Sequence, residues 1–396
     1  ANVDASNTSA SITGLTNGFP LQPLLKFASE ERNDKNELVS TAFSLNLILV
    51  IVFSALIFST RYFIASILNA PALENLLVLL PALLLTSFLR NFSLVLLQTR
   101  YRVRQIFWTD ATHFMGAIIL VYVWSKLHLF DSAYDLVHIN LISLGASSLV
   151  GLLFSRSLLT ITWRPSVVHI KLFWNYGKFV LGGILSYLFY SNADYFFLSA
   201  FSGPAQVGVY NAVKTFVRIY DTMQQVIQMF ILPGTSRLSS IGDTRSVKVL
   251  TEKAICFGTI ALMPVFLLFV FFAYPLMSVI SAGRFVEAAP LLRLFGILSF
   301  FTAANAVSSS VLLGLGRAKE GFHLSIILLV SSIALYSFFV PLWGAMGATV
   351  AFIASSILLT WLTVRKAQQF VPFTFKEIIV RVNDVSQFVK SRVKKV

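Results

Sequence analysis

Residues 254–280 read AICFGTIALMPVFLLFVFFAYPLMSVI, a run without one Lys, Arg, His, Asp or Glu. A helix rises 1.5 Å per residue, so about 20 such positions cross the hydrocarbon of a bilayer. Nine further stretches are predominantly apolar, with few charges: Ser40–Ser59, Leu76–Leu97, Gln105–Ser125, Leu136–Leu158, Leu172–Leu198, Val207–Leu232, Ala288–Gly314, Ser325–Val340 and Met346–Val364. The runs are continuous, whereas a membrane barrel alternates apolar and polar positions in segments of about ten residues. The spacing therefore predicts an all-α polytopic membrane protein.

Composition agrees. Of 396 residues, 56% are hydrophobic and only 12% charged, against about 25% charged in soluble domains. The net charge of +14 gives no basic face for nucleic acid, because the cations punctuate the apolar runs. The single cysteine, Cys256, lies inside a run, so no internal disulfide can form. The five histidines are scattered without metal-ligand spacing, and no phosphate-binding glycine loop is present. No cofactor is expected.

The loops set an orientation. Alternate connections and the C-terminal tail carry 24 Lys and Arg, while the other set holds only Arg61, Lys126 and Arg284. The positive-inside rule then places the C-terminus and the loop between Arg156 and Lys178 in the cytoplasm. The same alternation makes Ala1–Phe27 an eleventh crossing. The chain also resembles itself: at an offset of 212, Tyr62 falls on Tyr274, Ser66 on Ser278, Ala70 on Ala282 and Ser87-Phe88 on Ser299-Phe300. Parallel repeats of this kind build transporters from two lobes. On this register Ala1 corresponds to the middle of a span. The first lobe is thus expected to lack one helix and part of the next, from an original six-plus-six layout. The expected division is a lobe at 1–163, a lobe at 164–365 and a basic tail at 366–396.

Two adjacent spans carry a motif. Asn192-Ala193-Asp194-Tyr195 closes one, and Gly203-Pro204-Ala205-Gln206-Val207-Gly208-Val209-Tyr210-Asn211 opens the next. This resembles the signature of the Wzx-type oligosaccharide flippases, within the multidrug/oligosaccharidyl-lipid/polysaccharide exporter superfamily. Pro233–Leu238, Glu287–Leu292 and Pro341–Ala348 are similar to other family segments, so the likeness runs from about Phe19 to Arg365. It implies two helical bundles around a central cavity, in a bacterial plasma membrane. The implied activity is flipping of undecaprenyl-diphosphate-linked oligosaccharide repeat units to the outer leaflet by alternating access, without enzymatic chemistry. On this likeness the family's first helix is expected to be absent from the sequence.

Charges inside spans are functional candidates, because hydrocarbon penalises them. Lys214, Arg218 and Asp221 follow one another at i, i+4 and i+7 on one helical face, with Tyr210 and Asn211 extending its polar side. They read either as a cavity wall that grips phosphate or as an interhelical ion-pair cluster. Arg90 is placed to serve the same cavity from the first lobe or to form a structural pair. Asp110 and His113 read as a solvated inner mouth or a proton relay, and Arg293 as a snorkelling residue. Asp194 lies nine residues before Gly203 and Lys214 eleven after it, so the two sit about 14 and 17 Å below one turn. The spacing predicts that Asp194 meets Lys214 or, one turn deeper, Arg218.

Beyond Pro372, Phe375, Ile378, Ile379, Val382, Val385, Phe388, Val389 and Val393 recur at helical spacing among Lys and Arg. This predicts an amphipathic helix on anionic lipid of the inner leaflet; recruitment of another polysaccharide-assembly protein is the alternative. Two rival functions remain: a multidrug cation antiporter of the same superfamily, which the cationic Lys214 and Arg218 disfavour, and a membrane enzyme of polysaccharide assembly, for which the outer loops are short.

Overall fold

The computed structural model describes residues 17–30, 35–67, 72–129, 133–159, 165–382 and 384. Among these the structure is 91% helical, without strands, in 12 helices. Two compact units divide at Leu181 and Gly182, within the predicted span Leu172–Leu198.

In the first unit, α1 (Gln22–Ser29) starts with Pro23 in its first turn, where a missing N–H costs nothing. Then follow α2 (Lys35–Ile67), α3 (Ala72–Thr99), α4 (Val103–Lys126) and α5 (Ala133–Ser155). α3 packs against both α2 and α5, and α4 lies along α5. Phe43 on α2 sits 5.3 and 5.2 Å from the rings of Phe88 and Phe92 on α3. Serine hydroxyls bind the helices at mid-span: Ser148 Oγ donates to Thr86 O at 2.7 Å and Ser147 Oγ to Thr109 O at 2.6 Å. In lipid, where apolar surface gives little net drive, such bonds and close packing hold helices together. The outer face of α4 exposes Phe114, Ile118 and Tyr122, as expected of a side turned to lipid.

α6 (Val167–Ser240) begins in the first unit and continues through the second, broken at Gly203 (φ 78°, ψ 172°). Pro204 disfavours helical backbone at the residue before it, and only glycine takes this positive φ cheaply. The Gly-Pro pair therefore turns the chain back on itself. After α7 (Thr244–Phe271), capped by Asp243 accepting from Ser246 N at 2.9 Å, come α8 (Ala273–Ile280), α9 (Ala289–Phe295) and α10 (Thr302–Gly314). α11 (Ala318–Gln368) is a second broken pair, turning at Gly344 (φ 53°, ψ −128°). Gln206, just past the first turn, lies 3.3 Å from Ala345 N at the second and accepts its hydrogen bond. The core of this unit gathers Tyr210, Tyr220, Tyr336, Phe269 and Phe295.

Among the described residues six helices are long and apolar enough to cross a membrane, and Val286–Phe300 with Thr302–Gly314 adds a span bent by 44°. Two predicted straight spans are thus broken. Ala288–Gly314 bends through a 3-10 stretch at Gly296–Phe300, and Ala254–Ile280 breaks at Phe272, three residues before Pro275. Neither arm of α6 passes the same test. The second arm places Lys214, Arg218 and Asp221 within eight residues, which is where the candidate site lies. Most of the proposed crossing Ala1–Phe27, and the tail from Val385 onward, fall outside the described residues.

The start of the tail folds back on its own unit. α12 (Phe375–Val380) opens with a capping box between Thr374 and Glu377. It docks on α7 through Lys248 Nζ to Glu377 Oε1 at 2.6 Å, and through Arg381 to the buried Glu252 at 2.8 Å. Ile378 is buried, whereas Phe375 and Ile379 face outward. The hydrogen bond from Lys248 holds the Glu377 carboxyl below the ordinary value of 4.5, with Thr374 adding to the effect. A depressed carboxylate contributes stability above its unfolded value and loses it only as pH falls through the lowered folded one. Hydrogen exchange at Phe375–Val380 should therefore stay slow down to pH 4.5 and rise below it. In Glu377→Gln it should be fast at every pH. Equal protection in the two proteins would show that the ion pair does not hold α12.

Candidate functional site

The level argument about Gly203 holds: Asp194 on the first arm of α6 and Lys214 on the second form an ion pair. Asp194 is fully buried, and its carboxylate has every neighbour it needs. Tyr195 N–H donates to Oδ1 at 2.8 Å, while Tyr210 O–H, at 2.8 Å, and Lys214 Nζ donate to Oδ2. Lys214 also donates to Ser191 O at 2.7 Å and lies 4.4 Å from the Tyr195 ring centroid. Tyr210 is itself fully buried, so Asp194 and Tyr210 present no surface in this conformation. They position the ammonium.

The other residues of this face behave differently. Asn211 is exposed and accepts a hydrogen bond from Tyr195 O–H at 2.9 Å. Asp221 accepts from Tyr187 O–H at 3.2 Å. Arg218 is exposed, and among the described residues no carboxylate lies within ion-pair distance of it. At fifteen residues past Gly203 it sits about 22 Å along the helix from the turn, still within the span of a bilayer's hydrocarbon.

Arg90, in the first unit, is not free. Its guanidinium pairs with Asp110 of α4 and donates to Ser147 Oγ of α5 at 3.1 Å. His113, one turn on from Asp110, lies 3.3 Å from Ser143 Oγ. The structure thus joins Arg90 and Asp110, which the sequence presents as separate features. Arg293 stacks on Tyr274 at 5.1 Å.

Sequence reasoning missed a recess inside the second unit, lined by Tyr187, Tyr190, Asp221, Gln224, Asn305 and Ser356 among others. One signal was available: Tyr187 with Tyr190 and Asp221 with Gln224 are i, i+3 pairs of polar or aromatic residues within spans.

A family model described as "Polysaccharide biosynthesis protein" matches residues 24–290, which include the Gly-Pro turn, Asp194 and the charged face. The chain belongs to that family. A curated relative, the probable low-salt glycan biosynthesis flippase Agl15 of Haloferax volcanii, is 21% identical over 243 residues. That match covers 59% of this chain and about half, 52%, of the relative. The fold is that of the MATE-type transporters. A MATE crystallised in the straight conformation superposes with a TM-score of 0.80 at 16% identity, over 92% of this chain and 86% of that one. An outward-facing multidrug resistance MATE transporter of the MOP superfamily gives 0.78 at 15%, over 93% and 86%. A MOP-superfamily transporter from Pyrococcus furiosus, described as having a binding pocket of reverse polarity, gives 0.78 at 15%, over 91% and 84%.

Proposed function

We propose that this polysaccharide-biosynthesis family member is a flippase. It carries undecaprenyl-diphosphate-linked oligosaccharide units from the inner to the outer leaflet of a bacterial plasma membrane, with its C-terminus in the cytoplasm. A diphosphate and its sugars cannot enter bare hydrocarbon, because desolvating an ion is prohibitive. Two helical lobes opening alternately to each side offer them a polar route. An inside-negative potential favours outward movement by about 2.3 kcal/mol per negative charge per 100 mV.

Arg218 is the observation that carries this reading. A guanidinium at that depth is costly against lipid, and here it is exposed, with no carboxylate within ion-pair distance among the described residues. Its planar fork suits a phosphate oxygen pair. Lys214, held by Asp194, adds field from one turn away, and Arg90 would act from the first lobe only by leaving Asp110. The likeness to a curated glycan flippase supports the same substrate class.

The test is flipping of a labelled lipid-linked oligosaccharide in proteoliposomes. Arg218→Gln should lower the rate at least about tenfold, the loss of one charged hydrogen-bonding contact of about 1.5–3 kcal/mol. Arg218→Lys should keep part of the rate. An Arg218→Gln protein that flips as fast as its parent would remove the proposal. The structural neighbours described as multidrug transporters are compatible with the rival reading of cation extrusion; ethidium efflux undiminished in Arg218→Gln would support it.

A further inference from the structure

We infer that the recess in the second unit is a subsite for a sugar ring, the one attached to the diphosphate. This deepens the flippase reading and rests on it. The recess is an open-sided cavity of about 70 Å³. It lies between the second arm of α6, the first arm, α10 and the second arm of α11, all inside one unit.

Its chemistry is that of carbohydrate recognition. Sugar rings offer apolar C–H faces and a rim of hydroxyls, so they need aromatic surfaces beside amides, hydroxyls and carboxylates. Tyr187 and Tyr190 stand 6.1 Å apart at 48°. Tyr190 is backed by Phe352 at 5.7 Å in a stacked pair, which fixes its ring, while Tyr187 is 45% exposed. Tyr187 O–H is bonded to Asp221 and Tyr190 O–H lies 3.4 Å from Ser356 Oγ, but one polar group is unspent. Asn305 Oδ1 is buried without a hydrogen-bond partner among the described residues, an arrangement native proteins avoid unless a ligand or water completes it. No lysine or arginine lines the recess, so it is not a second phosphate site.

Position selects the occupant. Asp221 follows Arg218 by three residues and Gln224 by six, so the recess opens along the same helix one to two turns beyond the exposed guanidinium. A diphosphate held at Arg218 puts the sugar bonded to it within reach. Asp221 is the one charged residue of the lining, and its charge is offset by Lys214 and Arg218 on the same helix, which disfavours an organic cation.

Binding to the purified full chain in nanodiscs separates the steps. The probes are farnesyl diphosphate and its diphospho-sugar conjugates with glucose, galactose and N-acetylglucosamine. At least one conjugate should bind about tenfold more tightly than farnesyl diphosphate. Tyr187→Ala and Asn305→Leu should each erase that advantage while leaving farnesyl diphosphate binding intact, and Tyr187→Phe should retain most of it. If farnesyl diphosphate binds through Arg218 but no conjugate gains, or the gain survives both variants, the subsite is refuted and the flippase reading stands. If farnesyl diphosphate binding ignores Arg218→Gln, the flippase reading fails first. Binding of tetraphenylphosphonium that is lost in Asp221→Asn would overturn the sugar assignment in favour of a cation site.

Discussion

Asp194→Asn should destabilise the protein by about 3–5 kcal/mol, the penalty for leaving one partner of a buried ion pair uncompensated. Asp194 is fully buried and anchors three donors: Lys214 Nζ, Tyr210 O–H and Tyr195 N–H. An amide in its place cannot neutralise Lys214, whose remaining contacts are Ser191 O and aromatic faces. Lys214→Met in the same chain removes the orphaned charge, so the double variant should recover about 2 kcal/mol or more of the loss. The chain supplies its own reporter. Cys256 is its one cysteine and is buried, so a thiol-reactive fluorophore reads thermal unfolding directly. At about 2–4 °C per kcal/mol for domains of this size, Asp194→Asn should lower Tm by about 10 °C. A Tm within about 2 °C of the parent, or a double variant no better than the single, would show the pair to be dispensable.

Gly347→Ala should do comparable damage for a different reason. The turn at Gly344 brings the two arms of α11 so close that a Cβ on Gly347 would lie 2.0 Å from Phe339 O and 2.6 Å from its carbonyl carbon. Both are backbone atoms, so no rotamer change relieves the overlap. Overpacking costs about 1–3 kcal/mol where side chains can yield, and occasionally more; here the upper end, about 3 kcal/mol, is expected, with the Cys256 assay and gel filtration both showing loss of the folded species. Gly321→Ala, on the same helix with nothing within 4 Å of its added Cβ, is the control. It should be neutral or stabilising by up to about 1 kcal/mol, the helix preference for alanine over glycine. Equal behaviour of the two variants would defeat the steric explanation.

Much of the membrane fold was legible because lipid leaves the backbone few choices. An apolar run must satisfy its own N–H and C=O groups, and the helix does so. All ten predicted runs coincide with helical segments, and the turns at Gly203-Pro204 and Gly344 fall where glycine and proline demand them. The meeting of Asp194 with Lys214 followed from the same arithmetic, since two arms joined at a tight turn share levels. What could not be read is equally particular. The bend of Ala288–Gly314 leaves no proline at its hinge. The Arg90–Asp110 pair joins positions 20 apart on different helices, whose facing no periodicity specifies. Asn305 reads as one more polar residue in an apolar run until α10 is set beside the second arm of α6.

The sequence by itself determined that this chain spans a membrane as helices, where those helices turn, and which charges they take into the hydrocarbon. Hydropathy, glycine, proline and the 1.5 Å rise are local, and each acts through near neighbours in the chain. Only the tertiary structure decided which charges are neutralised and which stand open: Lys214 and Arg90 are paired, and Arg218 has no such partner among the described residues. It also decided that Tyr187, Gln224 and Asn305 share one recess. The rotation of each helix about its own axis is set by packing against its neighbours, and that rotation turns a polar residue toward a partner, a cavity or lipid.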